Sequence, residues 1–381
     1  MPLGNLTAST DPNDLRHLRR ALRLAGLGRY RTAPNPRVGA VLVRDGEILG
    51  EGWHREIGGP HAEVEALRAA AAAAPGGAQG ATLYVTLEPC SHFGRTPPCA
   101  DAVIAAGIVR VVACVGDPNP QVAGQGFSRL RESGIEVEVG ALAAEAVRIN
   151  LPFFVSQVLG RPAVTLKWAM SLDGKIATVT GESRWISSPE ARKTSLLLRE
   201  EHDAILVGVG TVLADDPRLD RRLGRAKGPI VRVVLDRRLR TPPSAQLLKV
   251  PGPVLIFTES DDAARRAALE AAGAEVIRLA EVEPGAVLAA LFERGMRSVL
   301  VEGGGEVHAS FAAAQAFDAV QVDAAPLMLG GSAAPTPLGG VGFARLAAAP
   351  RLERVEVKRR GEDVILSGLY AGRLSELLRA V

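Results

Sequence analysis

The sequence is short of several things at once. It has three cysteines in 381 residues, 4% aromatic residues, and an excess of Lys+Arg over Asp+Glu of only three. Three cysteines do not make a disulfide framework, and the pattern fits a reducing compartment. A formal charge of +3 is too small to argue for a nucleic-acid or membrane surface, and no basic stripe interleaved with aromatics is present to grip a strand. No apolar run is long enough to span a bilayer, and no charged, apolar and small-residue leader opens the chain. The expectation is a soluble cytoplasmic protein. Ala, Gly and Val are abundant instead, and 47% of residues are apolar, a composition suited to helices packed on sheets. At this length two cores are expected.

Two of the cysteines lie in the stretch that carries the most chemistry, Pro60-His61-Ala62-Glu63 followed by Glu88-Pro89-Cys90 and, after eight intervening residues, Cys99. Gly58-Gly59-Pro60 breaks the chain and puts proline at the first turn of an alanine-rich helix, so His61 and Glu63 sit at a helix N-terminus. Pro97-Pro98 repeats the device for a helix from Cys99 to Ala106 that stops at Gly107. Cys99 thus starts its helix, where the positive end of the dipole favours a thiolate. Cys90 follows a strand over 81–87. One imidazole and two thiolates form a three-ligand zinc set with the fourth position open, the catalytic arrangement. His-x-Glu followed by two cysteines is the zinc deaminase signature, in which the glutamate moves protons. A closed structural site would need a fourth ligand; His92 is the nearby candidate, and Glu63 would then have no use. The third cysteine, Cys114, reads as a buried strand thiol.

Local patterns lay out the rest. Asp14 to Leu27 has helical spacing; 38–44 and 47–53 are strands joined by Asp45-Gly46, a strong hairpin signal. The zinc helix, a strand over 81–87, the second ligand helix, and strands over 110–115 and near 135–139 follow, which gives a three-layer sheet with helices on both faces. A helix over 141–149 and an apolar strap at Leu151-Pro152-Phe153-Phe154 lead to a boundary at Gly160-Arg161-Pro162. Beyond it, apolar runs beginning at Ala163, Ala204, Ile230, Val254, Ala274 and Ser298 alternate with helical segments, one of them capped at Ser188-Pro189-Glu190. A hairpin over 351–370 closes a mostly parallel sheet with antiparallel strands. Two glycine-rich turns follow strands, at 207–210 and at Glu302-Gly303-Gly304-Gly305. Neither completes G-x-G-x-x-G, because His308 stands where the third glycine falls, so an ordinary Rossmann site is not expected.

The eight-residue insertion between Cys90 and Cys99, together with Pro34-Asn35-Pro36-Arg37-Val38-Gly39-Ala40, closely resembles the bifunctional deaminase/reductase family of riboflavin biosynthesis. So do Ser171-Leu172-Asp173-Gly174, Gly181-Glu182-Ser183-Arg184-Trp185, 211–217 and Val301-Glu302-Gly303-Gly304. The resemblance runs from about Asp14 to Tyr370. It implies an α/β protein with a cytidine-deaminase-like domain over 14–150 and a dihydrofolate-reductase-like mixed-sheet domain over 161–372. It implies one Zn2+ per chain on His61, Cys90 and Cys99, with Glu63 as the proton carrier. The activity implied is deamination of 2,5-diamino-6-ribosylamino-4(3H)-pyrimidinone 5′-phosphate, followed by NADPH reduction of the ribosyl chain to ribityl. Carried over by motif, Asn35 meets the pyrimidine, and Ser183, Arg199, Leu219, Arg222 and Glu302 hold the phosphorylated substrate. Ala169, Trp185, Thr211, Asp215 and Gly303 to Gly305 hold NADPH.

Some positions admit two readings. Asn35 is also a turn residue, and Arg95 in the insertion is either a phosphate partner or a solvated loop arginine. Asp215 either relays a proton to complement the hydride or only contacts the cofactor. Where the family commonly has serine after the strand ending at Asp236, this chain has Arg237, which could pair with the extra phosphate of NADPH. The partners expected are the small phosphorylated pyrimidine and further copies of the chain, with no nucleic acid and no membrane; subunit number is not legible. Two rival readings are a nucleic-acid base deaminase with a C-terminal binding module and a zinc-stabilised nucleotide-binding regulator. Near-neutral charge opposes the first and Glu63 the second.

Overall fold

The computed structural model describes residues 8–73, 76–91, 97–119 and 122–381. The expectations for His92, Arg95 and most of the N-terminal tail fall outside them. The chain divides into two units, one of residues up to Leu159 together with Leu374–Val381, the other Gly160–Arg373. Among the described residues, no helix is long and apolar enough to cross a membrane.

The first unit opens with helix α1 (Pro12–Ala25), capped by the Asp11 side chain, which accepts from the Asn13 amide. Strands β1 (Gly39–Arg44) and β2 (Glu47–Trp53) pair antiparallel across Asp45-Gly46, both at positive φ, as a two-residue hairpin turn requires. Then come α2 (Ala62–Ala73), β3 (Thr82–Val85), α3 (Cys99–Ala105), β4 (Arg110–Ala113), α4 (Gln125–Glu132), β5 (Glu136–Val139), α5 (Ala143–Ile149) and α6 (Leu151–Leu159). The sheet runs β2-β1-β3-β4-β5. The strap expected at Leu151–Phe154 is instead the first turn of α6, since Pro152 stands where a helix tolerates proline. The carboxamide of Asn150, the residue before it, bridges the backbone N–H and C=O of Arg37. Cys114, just beyond β4, is fully buried.

Helices cover both faces of this sheet. Ala40 and Leu42 of β1 join one core with Ala62, Ala66 and Ala70 of α2, Val103 of α3 and Leu130 of α4. Gly39 faces the other way, so close to α1 that a Cβ there would sit 2.0 Å from the Ala21 carbonyl oxygen. Gly50 and Gly52 of β2 pair with Leu42 and Ala40 and lie under α2. A Cβ on either would sit 2.3 Å from a carbonyl oxygen of that helix, Ala66 or Ala62. Alanine on the helix and glycine on the strand let the two backbones meet, and this contact aims the N-terminus of α2.

The second unit contains β6 (Ala163–Ser171), α7 (Pro189–Glu201), β7 (Ala204–Gly208), α8 (Val209–Asp215), β8 (Val231–Leu235), α9 (Gln246–Lys249), β9 (Val254–Thr258), α10 (Ala263–Ala271), β10 (Glu275–Arg278), α11 (Pro284–Glu293), β11 (Ser298–Gly303), α12 (Gly305–Ala313), β12 (Ala319–Ala325), β13 (Leu352–Arg360) and β14 (Asp363–Tyr370). Helix α13 (Arg373–Leu378) follows in sequence but from Leu374 belongs to the first unit. The nine strands of the second unit run β10-β9-β8-β7-β11-β6-β12-β14-β13. They are parallel from β10 to β12 and antiparallel in the last two pairings. Strand β12 escapes sequence reading because Gln321 and Asp323 interrupt its apolar pattern. Both are buried, and Asp323 is neutralised by Lys167 of β6 at 3.1 Å.

Asp318, fully buried at the start of β12, ties three segments together. Its carboxylate takes Arg161 through both terminal nitrogens at 2.8 and 2.7 Å and the Val164 amide at 2.8 Å, and Arg373 Nε lies at 2.7 Å. Removing one partner of a buried ion pair strands the other without solvent. Asp318→Ala should therefore destabilise the second unit by about 3–5 kcal/mol, read as a lower urea midpoint for its unfolding. An unchanged midpoint would mean that the pair holds nothing.

Candidate active sites

In the first unit, the N-terminus of α2 and the first residue of α3 converge on Cys90. His61 Nδ1 lies 3.2 Å from Cys99 Sγ and 3.6 Å from Cys90 Sγ, and the three ligand atoms are all within 4.8 Å of one another. Tetrahedral zinc with ordinary Zn–S and Zn–N bonds puts its ligand atoms roughly 3.6–3.8 Å apart, so the triad fits the ion with little adjustment. A tetrahedral site with three protein ligands keeps one position for water.

Without the dication, the two thiols divide one proton. The Cys99 amide donates to Cys90 Sγ at 3.3 Å, and the hydrogen bond from the Cys99 thiol drives Cys90 down to about 4. Cys99 is pushed up, by sharing its proton with Cys90 and by burial. The helix dipole expected to make Cys99 the thiolate serves Cys90, because the first N–H of α3 points across to its partner. Metal binding displaces that shared proton.

Glu63, two residues into the same helix, is 3% exposed. Burial pushes its carboxyl up to about 7, against the pull of His61, and it hydrogen-bonds the Cys99 thiol. Such a group exchanges protons near neutrality, which general acid–base chemistry requires. His54 was not expected to take part, yet it connects the site to Asn35. Its Nε2 lies 3.4 Å from Asn35 Nδ2 and its Nδ1 3.0 Å from the Pro60 carbonyl, so Nδ1 carries the proton and Nε2 accepts. Its ring packs edge-on to His61 at 5.5 Å. The signal for it was a histidine one residue past a strand, a weak one.

In the second unit, the C-terminal ends of β6, β7 and β11 open onto a cavity of about 620 Å³, the place where open parallel sheets receive ligands. Ala169, Ser183, Trp185, Arg199, Thr211, Asp215, Leu219, Arg222, Glu302, Gly303 and Gly304 all line it. Ser183 Oγ donates to Asp215 Oδ1 at 2.9 Å, which joins a loop expected at substrate to a helix end expected at cofactor. Asp216 closes the turn, accepting from the Gln246 amide at 2.7 Å. Arg199 grips Glu302 through two nitrogens at 2.8 and 2.7 Å. Burial opposes charge on Glu302, but the pair with Arg199 keeps its carboxyl below the ordinary range. Trp185 is 67% exposed under the Arg192 guanidinium at 4.5 Å.

The glycines do local work. Gly303 has φ +112° and faces the buried His308 ring, and a Cβ on Gly304 would lie 3.5 Å from Thr211 Oγ1. Gly305 opens α12 where a side chain would strike the Thr336 carbonyl at 2.5 Å; it does not line the cavity, nor does Arg237. Arg237 Nε instead faces Glu259 at 3.2 Å. Sequence reasoning passed over Lys167, Arg184, Arg192 and Arg218 in the cavity wall. Lys167 left a trace, as a charge inside an apolar strand, and Arg184 stood without a role inside a quoted motif.

Comparison with known proteins matches this division. A family model described as the cytidine and deoxycytidylate deaminase zinc-binding region fits residues 11–115, and one described as the RibD C-terminal domain fits 162–366. The chain is 44% identical to the riboflavin biosynthesis protein RibD of Bacillus amyloliquefaciens, over 93% of this chain and 95% of that one. It is 42% identical to RibD of Aquifex aeolicus, over 93% and 97%. Among solved structures, RibD of Acinetobacter baumannii superposes with TM-score 0.81 at 36% identity, covering 94% and 99% of the two chains. The Thermotoga maritima diaminohydroxyphosphoribosylaminopyrimidine deaminase/5-amino-6-(5-phosphoribosylamino)uracil reductase gives 0.82 at 36%, with the same coverage.

The geometry of the triad predicts that Cys99→Ser lowers zinc content well below one ion per chain while Glu63→Gln leaves it unchanged. Metal analysis of the purified variants after dialysis checks both. Equal zinc in wild type and Cys99→Ser would remove Cys99 from the ligand set.

Proposed function

The chain belongs to the RibD family of bifunctional riboflavin-biosynthesis enzymes, and from that premise we propose how its residues divide the two half-reactions. The protein is a zinc-dependent deaminase and an NADPH-dependent reductase. It removes the 2-amino group of the diamino-ribosylamino-pyrimidinone 5′-phosphate as ammonia and reduces the ribosyl chain to ribityl.

In our reading the deaminase domain spans 14–150 and the reductase domain 161–372. His61, Cys90 and Cys99 would hold zinc, which when bound would supply the Lewis acidity that makes water a nucleophile at neutral pH. Asn35, set by His54, accepts or donates to the pyrimidine edge. A water oxygen bonds to the ring carbon and the exocyclic C–N bond breaks. Glu63 takes the water's proton and delivers it to the departing nitrogen, so that ammonia leaves. The observation that carries this is the buried carboxylate beside the ligand triad: a structural zinc site has no use for it.

In the reductase domain, bound NADPH supplies the hydride's two electrons. Trp185, Thr211, Asp215 and the Gly303–Gly305 turn are assigned to the cofactor, and Ala169 to the wall beneath it. Ser183, Arg199, Leu219, Arg222 and Glu302 are assigned to the substrate. Asp215 either orients or relays the proton that completes the reduction. Arg237, paired with Glu259 outside the cavity wall, is left out. The same reading carries a cytoplasmic location and self-association; an exposed edge strand, β13, with Val355 and Val357 at its surface, supports the latter.

Incubation of the purified protein with the diamino substrate, with and without NADPH, tests the whole assignment. Glu63→Gln keeps shape but cannot accept a proton, so ammonia release should fall by about 10²- to 10⁴-fold while zinc stays bound; near-normal release would exclude Glu63 from proton transfer. Asp215→Asn should weaken reduction of the deaminated intermediate and leave ammonia release unchanged. A raised KM for NADPH with kcat preserved would make Asp215 a binding residue; a fall in kcat would make it part of the chemistry.

A further inference from the structure

Of the three metal-ligand candidates, His61 stands just before α2 and Cys99 opens α3, but Cys90 belongs to no helix or strand. Something other than regular backbone pairing must hold its sulfur in place. Two residues earlier in the chain, Glu88 is only 4% exposed, and its carboxylate takes four backbone N–H groups. Oε2 accepts from Asp117 at 3.1 Å and Gly124 at 3.0 Å, and Oε1 from Gly126 at 2.8 Å and Phe127 at 3.3 Å.

Three of those donors belong to the start of α4. The residue before this helix, Gly124, has φ +75° and no side chain with which to cap it. The first N–H groups of a helix need acceptors from outside it, and Glu88 supplies them from beyond the end of β3. The approach is close: a Cβ on Gly126 would lie 2.0 Å from the Pro89 carbonyl oxygen, so α4 rests on the peptide bond that leads into Cys90.

Helix α4 in turn packs on α3, which carries the other sulfur. Phe127 and Leu130 share a core with Ala100 and Val103, and Arg129 Nε lies 2.6 Å from Asp101. The Ala100 amide donates back to the Cys90 carbonyl at 3.1 Å. One buried carboxylate is therefore tied to both sulfurs, to Cys90 through two residues of chain and to Cys99 through α4 and α3. A metal site tolerates only about 0.2 Å in its ligand distances, so the groups that orient the ligands decide how tightly the ion is held.

We propose that Glu88 is a positioning residue for the zinc thiolates: its carboxylate caps α4 and so sets Cys90 against Cys99, and affinity for the ion depends on this side chain although it is not a ligand. The inference rests on the reading of His61, Cys90 and Cys99 as a zinc site and adds the group that spaces two of them.

The test starts from the zinc-loaded full-length chain and measures the zinc lost to graded concentrations of a competing chelator, in wild type and three variants. Glu88→Gln keeps the shape but turns one acceptor oxygen into a donor that faces N–H groups. Its zinc affinity should fall by about 10- to 100-fold, the range for residues that orient ligands. Gly126→Ala pushes α4 off the Pro89 peptide without touching the carboxylate and should lower affinity in the same direction, so it carries the test if Glu88→Gln does not fold. Asp14→Asn is the control for general loosening, because Asp14 ties α1 to the sheet through Tyr84 and Arg110 at 2.7 and 2.6 Å. It should lower the thermal midpoint of the first unit and leave zinc affinity at the wild-type value. Wild-type affinity in Glu88→Gln, or in Gly126→Ala where only that variant folds, would overturn the proposal. Equal losses in Glu88→Gln and Asp14→Asn would overturn it too, since zinc would then report only the stability of the unit. A wild-type chain that binds no zinc would sink the reading of the triad itself, a distinct failure.

Discussion

The backbone of α2 rests on β2 at a separation that only glycine allows, and the first half-reaction depends on that contact. Gly50 and Gly52 leave no room for a Cβ beneath Ala66 and Ala62, so the helix axis is fixed by the strand and its N-terminus is delivered to one place. His61 and Glu63 ride on that end, and Cys90 and Cys99 come to meet them from β3 and α3. A larger residue on β2 would move the helix as a body, because a packed interior transmits strain instead of absorbing it. His61 and Glu63 would then shift together.

The two sites solve the problem of charge differently. In the deaminase site, burial first and then the charge of Cys90 push the Glu63 carboxyl up to about 7. The reductase cavity is ringed with arginines; Glu302 in its wall is kept a carboxylate by its pair with Arg199, and Lys167 in its wall pairs with the buried Asp323. A buried pair of this kind adds little net stability over an apolar core, but losing one member leaves the other stranded. Such pairs hold side chains in fixed directions around a cavity that must take two anionic ligands.

Local chemistry made much of this readable. The hairpin at Asp45-Gly46, the proline-led starts of α2, α3 and α7, the capping serine at 188 and the strand that ends in Glu302-Gly303-Gly304 are all set by residues within a few positions of one another. The spacing of His61, Glu63, Cys90 and Cys99 was enough to name the metal and the kind of reaction. What misled was also local. Pro152 looked like the end of a structure when it was the first turn of a helix, and β12 was hidden because Gln321 and Asp323 break its apolar pattern.

The sequence by itself determined the two-domain α/β plan, the His/Cys/Cys set that could hold a metal ion and the residues shared by motif with a known family, because each rests on short-range pattern or on a motif that tolerates little change. Only the tertiary structure brought His61 Nδ1 and the two sulfurs within reach of one ion. It alone brought His54 between Asn35 and His61, paired Arg237 with Glu259 away from the cavity wall, and carried the Glu88 carboxylate to the first turn of α4. These are contacts between side chains whose partners lie elsewhere in the chain or whose directions are fixed by a turn, and no periodicity in the chain encodes where such groups meet.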